Sequence, residues 1–174
     1  MKMQFTYNIF LIGFMGSGKS TVADYLCEKF DMDVVEMDQV IAERERMSIS
    51  DIFEKHGELY FRDLETKLLV ELQEKTNTVV SCGGGVAMRE CNVAEMKKNG
   101  IVVLLTAKPE TILERVENNH DRPLLENNKT VAYIAELMEK RREKYEAAAD
   151  MIIETDGKSA QKICEEMIQR LGER

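Results

Sequence analysis

Nine residues near the start of the chain, GFMGSGKST at Gly13 to Thr21, complete the pattern G-x-x-x-x-G-K-[ST], and no other stretch narrows the fold so far. The pattern holds a phosphate only when a strand delivers it and a helix follows it, so that the anion sits at the helix N-terminus. Both flanks comply. Asn8 to Ile12 (NIFLI) is a short apolar run suited to a buried parallel strand, and Val22, Ala23, Leu26, Cys27 and Phe30 recur at helical spacing. Gly13, Gly16 and Gly18 allow backbone conformations in which successive N–H groups turn inward around an anion. Lys19 supplies a point charge to the outer phosphates, and the Ser20 hydroxyl suits one position on a Mg²⁺ ion. The reading is a bound ATP or GTP, contacted by Gly16, Ser17, Gly18, Lys19, Ser20 and Thr21.

Four further apolar runs, at Val34-Val35, Thr78 to Cys82, Ile101 to Leu105 and Met151 to Ile153, are candidate strands. Charged stretches of helical periodicity separate them: Leu64, Leu68, Leu69 and Leu72 before the third run, and Ile134, Leu137, Met138 and Tyr145 before the fifth. A last helix is expected over Ser159 to Leu171. This alternation predicts an α/β three-layer sandwich, a parallel sheet covered on both faces. At 174 residues one domain is expected over 1–174. Two interruptions stand out within it. A helical insertion at 36–75 is a natural holder for an acceptor substrate, and a polar segment at 116–128, including Arg122-Pro123, reads as a lid.

Twenty-four Lys and Arg against 32 Asp and Glu give a net charge of −8, which provides no basic field for a duplex nucleic-acid partner. Cys27, Cys82, Cys91 and Cys164 are scattered without a C-x-x-C pair, as expected of reduced thiols in the cytoplasm. The opening residues run straight into the phosphate loop rather than a cleavage site, and no stretch reaches the length of a membrane span.

Several motifs bear on the chemistry. Glu36 and Asp38 close the second run, where strand alternation places both carboxylates on one side at the ligand-binding edge of the sheet; two solvated charges at a helix start fit the pattern equally well. In FRDLE at Phe61 to Glu65, Arg62 can grip a carboxylate and Glu65 can orient it, although the same spacing describes a surface i,i+3 ion pair. Gly83, Gly84 and Gly85 follow the third run and permit close backbone approach to a ligand. Lys140, Arg141 and Arg142 put cations on a helix, and pattern alone does not separate Arg141 from Arg142. His56, beside Gly57, reads as a helix-end residue, and Cys82 as a buried thiol.

These motifs together, with RPLL at Arg122 to Leu125 and LMEKRREKY at Leu137 to Tyr145, resemble the shikimate kinase family over nearly the whole chain. The resemblance implies a P-loop NTPase fold of nucleoside-monophosphate-kinase type with a five-stranded parallel sheet, and transfer of the ATP γ-phosphate to the 3-hydroxyl of shikimate by a cytoplasmic monomer. By the same resemblance, Lys19 contacts the β- and γ-phosphates. Asp38 holds the acceptor hydroxyl, while Arg62 and Arg141 pair with its carboxylate. Gly83, Gly84 and Gly85 line the acceptor site, and Ile49, Phe53, Phe61 and Leu124 wall its ring. Arg122 closes over the migrating phosphoryl group, Arg115 lies against the adenine, and the Thr155 to Ser159 segment, with Lys158, closes the far side of that site.

One departure is visible: the family's second strand carries Asp-x-Asp, whereas the first position here is Glu36. The extra methylene displaces the carboxylate by roughly 1.5 Å, which favours contact with Mg²⁺ through a bridging water and leaves activity intact. Another small-molecule kinase of the same fold, for gluconate or a nucleoside monophosphate, and a regulator without turnover are the competing readings. An aspartate's ordinary pKa of ~4 matches an alcohol poorly, so Asp38 is expected to orient more than to deprotonate. Asp38→Asn should abolish most turnover while ATP affinity, measured by direct titration, stays nearly unchanged; turnover like that of the unaltered protein would remove Asp38 from the mechanism.

Overall fold

The computed structural model describes residues 4–117 and 130–173. Five strands form one parallel sheet in the order β2-β3-β1-β4-β5, with β1 at Asn8–Ile12, β2 at Asp33–Glu36, β3 at Thr78–Ser81, β4 at Gly100–Thr106 and β5 at Met151–Glu154. The strand alternation sorts the core into two layers. Phe10 and Ile12 of β1 point to one face, with Phe61, Leu69, Met96, Ile112 and Ile134. Ile9 and Leu11 point to the other, with Val22, Leu26, Ile163 and Met167. Helices α1 (Lys19–Phe30) and α8 (Ala160–Gly172) cover this second face. The first carries α4 (Glu58–Glu71), α5 (Glu90–Lys98), α6 (Pro109–Val116) and α7 (Val131–Ala148). This is the three-layer arrangement expected from the apolar runs.

The helix ends follow local chemistry. Ser159 accepts from Lys162 N at the start of α8, Thr130 does the same for Tyr133 N at α7, and Pro109 opens α6. No acidic residue stands in the first turn of α1, the end aimed at the phosphate loop. The insertion consists of α2 (Met37–Glu45), α3 (Ile49–His56), α4 and a short 3-10 turn at Leu72–Glu74. Its return is fastened by Asn8, fully buried, which donates to Leu72 O and Lys75 O and accepts from Thr78 N. His56 ends α3 and its ring stacks on Tyr60.

One expectation is corrected. Asp38 does not stand on the second strand: the chain turns helical at Met37, and Asp38 lies in the first turn of α2. Strand alternation therefore does not relate it to Glu36, although both reach the same cleft. Most of the expected lid, with Arg122 and Leu124, lies outside the described residues. Among the described residues no helix is long and apolar enough to cross a membrane.

Candidate active site

The parallel register aligns the carboxyl ends of β1, β2 and β3, pairing Leu11 with Ser81 and Glu36 with Ser81. Beyond that edge opens a cleft of about 280 Å³. The phosphate loop forms one wall. Gly16 and Gly18 have φ of 80° and 102°, left-handed values that turn their N–H groups into the cradle. Lys19 folds back over the loop, its Nζ 2.6 Å from Gly13 O. Ser20 and Thr21 also line the cleft, and Arg115 caps its edge by donating to Gly16 O and Thr155 Oγ1. Arg115 thus joins the loop to the Thr155 segment.

Two residues expected at the nucleotide have side chains that do not line this cleft. The Ser17 side chain is buried behind the loop against a separate, mostly apolar hollow shared with Phe14 and Met138, and its N–H is taken by Phe14 O. Its side chain faces inward. Lys158 does not line the cleft; its ammonium pairs with Glu166 of α8 at 3.0 Å.

Glu36 and Asp38 face the loop from the opposite wall. Burial raises the Glu36 carboxyl above its ordinary value, opposed by hydrogen bonds from Ser20 and Ser81. A hydroxyl from the phosphate loop and a carboxylate from β2 therefore line the same cleft. Ser81 had no signal in the sequence beyond ending a strand.

The three glycines after β3 are explained by what their missing side chains make room for. None has a positive φ. A Cβ on Gly83 would lie 2.8 Å from Glu65 Oε2 and 2.9 Å from Asp38 Oδ1; on Gly84, 2.9 Å from Arg141 Nη1; on Gly85, it would collide with the Arg62 guanidinium. The run thus gathers, in order, an acidic pair, one arginine and a second arginine.

Arg62 is gripped by Glu65 at 2.8 Å, and the Glu65 side chain is 0% exposed, which rules out a surface pair. Burial drives the Glu65 carboxyl up from 4.5 to about 7 against the lowering effect of Arg62, with Asp38 adding to the rise. The guanidinium lies 5.4 Å from the Phe61 ring and 5.9 Å from that of Phe53. Phe53 and Phe61 pack at 5.0 Å, with Ile49 against the same cluster. The helix separates the two arginines that pattern did not: Arg142 points outward to Glu139 and Glu146, whereas Arg141 lies over Phe14 and beside Gly84. Cys82 is buried, and burial pushes its thiol well above the ordinary range, so it is no thiolate.

Comparison with known proteins then decides the family. A family model described as Shikimate kinase matches residues 15–172. The chain belongs to the shikimate kinase family. It is 45% identical over 164 residues to a shikimate kinase of Persephonella marina, covering 94% of this chain and 98% of that one. A shikimate kinase of Sulfurihydrogenibium is 44% identical, over 96% of this chain and 99% of the relative. Among solved structures, shikimate kinase from Acinetobacter baumannii in complex with shikimate superposes with a TM-score of 0.89 at 33% identity, covering 95% of this chain and 92% of that one.

Family membership and geometry together expose a residue that sequence reading passed over. The sequence shows Tyr145 only as part of an apolar stripe and as the end of LMEKRREKY, with no role of its own. It is buried, donates its hydroxyl to Gly84 O and accepts from Arg141 Nη1, one helical turn away. One phenol thereby fixes both the glycine run and an arginine. Tyr145→Phe should raise the KM for the acceptor about tenfold, the scale of one buried hydrogen bond of ~1.4 kcal/mol, and shift the KM for ATP by less than twofold. Steady-state kinetics with each substrate varied in turn checks this, and equal shifts in both would contradict it.

Proposed function

We propose that this chain transfers the γ-phosphate of ATP to the 3-hydroxyl of shikimate, giving shikimate 3-phosphate and ADP. The observation that carries the reading is the order along Gly83, Gly84 and Gly85: an acidic pair that includes Asp38, then Arg141 over Phe14, then Arg62 against Phe53 and Phe61. An acceptor with a ring, a hydroxyl at one end and a carboxylate at the other fits that order.

In this reading Arg62 and Arg141 hold the carboxylate, and Ile49, Phe53 and Phe61 flank the ring. Asp38 accepts from the hydroxyl and points it at the γ-phosphate, across the cleft from Lys19. Transfer through a loose transition state needs alignment and charge compensation more than early proton removal, so the work of Asp38 is orientation. Lys19 leaves the carbonyls of Gly13 and Phe14 for the β- and γ-phosphate oxygens, while the N–H groups of the loop hold the chain of phosphates. Arg115, placed between Gly16 and Thr155, covers the adenine.

The residues present also fit a magnesium ion. The Ser20 hydroxyl and Glu36 carboxylate are hard oxygen donors lining one cleft, and together with phosphate oxygens they would hold the ion, Glu36 through water. When bound, Mg²⁺ neutralises charge on the phosphates. Arg122 and Leu124 remain proposed for the lid, with 116–128 closing over the site and 36–75 holding the acceptor. We place the protein in the cytoplasm as a monomer, its four cysteines being free thiols.

ADP release should be measured with ATP and Mg²⁺ and, in turn, shikimate, gluconate and nucleoside monophosphates. Release with shikimate at least a hundredfold faster than with any other acceptor is expected; preference for gluconate, or no release with any acceptor, would overturn the assignment.

A further inference from the structure

The Arg62 guanidinium keeps two acidic partners of different kinds. Nη1 donates to Glu65, which is fully buried. Nε and Nη2, an edge shaped to grip a carboxylate with two parallel bonds, both converge on Oε1 of Glu58, at 3.4 and 3.3 Å. The Glu58 side chain is 67% exposed. An exposed i,i+4 pair with long contacts to a single oxygen contributes little and breaks readily.

Glu58 also has another favourable place to go. It is the first residue of α4, where the unpaired N–H groups of the first turn attract an acidic side chain. The guanidinium, by contrast, is pinned between the Phe53 and Phe61 rings and the Gly85 backbone, and its own side chain is only 17% exposed. Of the three groups, Glu58 alone is free to move.

We infer that Glu58 competes with the acceptor's carboxylate for the Nε/Nη2 edge of Arg62 and yields that edge to an anionic acceptor, setting how tightly the site holds substrate and product. The inference rests on shikimate as the acceptor. Glu65 stays on Nη1 throughout, and an uncharged acceptor lacks the means to dislodge Glu58. The exchange weakens acceptor affinity by the small amount that the Glu58 pair is worth.

The test is calorimetric titration of the full chain with shikimate and with its uncharged methyl ester, for the unaltered protein, Glu58→Gln and Glu58→Ala. Both variants should bind shikimate two- to threefold more tightly and the ester with unchanged affinity. A gain in affinity does not arise from a damaged fold, so the expected result is not imitated by misfolding. Weaker shikimate binding would mean that Glu58 orients Arg62, and unchanged binding, or equal tightening for shikimate and ester, would mean that no carboxylate exchange occurs; each overturns the inference. If the unaltered protein fails to bind shikimate, the acceptor assignment fails and the exchange with it, whereas binding that is insensitive to Glu58 defeats the exchange alone.

Discussion

A carboxylate buried to 0% exposure and clasped by an arginine at 2.8 Å holds the two halves of this site together. Glu65 and Arg62 both stand on α4, in the insertion, yet the spaces they fill are those left by Gly83 and Gly85 after β3. The pair therefore sets how far the insertion stands from the sheet. Burying it is costly. Glu65 Oε2 has no hydrogen-bond partner among the described residues, and the carboxyl is raised to about 7 despite the arginine. Since the folded value exceeds the ordinary 4.5, its contribution to stability is full below pH ~4.5 and is lost as pH rises through about 7. The fold thus resists the ionised form that grips Arg62 best, a conflict of the kind found where geometry serves binding rather than stability.

The sheet supplies the other fixed element. Because β1 lies between β3 and β4, the phosphate loop leaving β1 and the glycine run leaving β3 emerge side by side, and β2 adds Glu36 from the next position. The phosphate loop and the glycine run are neighbours because their strands are neighbours. Tyr145 and Arg115 then lock the periphery, one tying α7 to Gly84 and the other tying α6 to Gly16 and Thr155. Each spans elements remote in sequence, and together they leave the loop and the glycine run little freedom.

Much of this was legible in the residues because it depends on local pattern. Strand β1 was read at its observed bounds, and the phosphate loop identified its own context. Gly83 to Gly85 signalled close approach, but the reason lay in which side chains approach, and that depends on helices distant in sequence. Asp38 was misplaced because a carboxylate two residues beyond a strand reads the same whether the strand continues or a helix begins. Motif position does not reveal side-chain direction at Ser17 or Lys158: the first is buried and the second pairs with Glu166. Arg141 and Arg142 are equivalent in pattern and differ only in the helix face each occupies, as Tyr145 beside Arg141 reveals.

If Glu65 holds Arg62 for an acceptor's carboxylate, Glu65→Gln removes that hold with almost no change in volume. The decisive measurement is the KM for shikimate and for ATP in that variant at pH 8, where the native carboxyl is ionised. A rise of at least tenfold is expected for shikimate, with less than a twofold change for ATP. An unchanged KM for shikimate, or equal changes for both substrates, would contradict it.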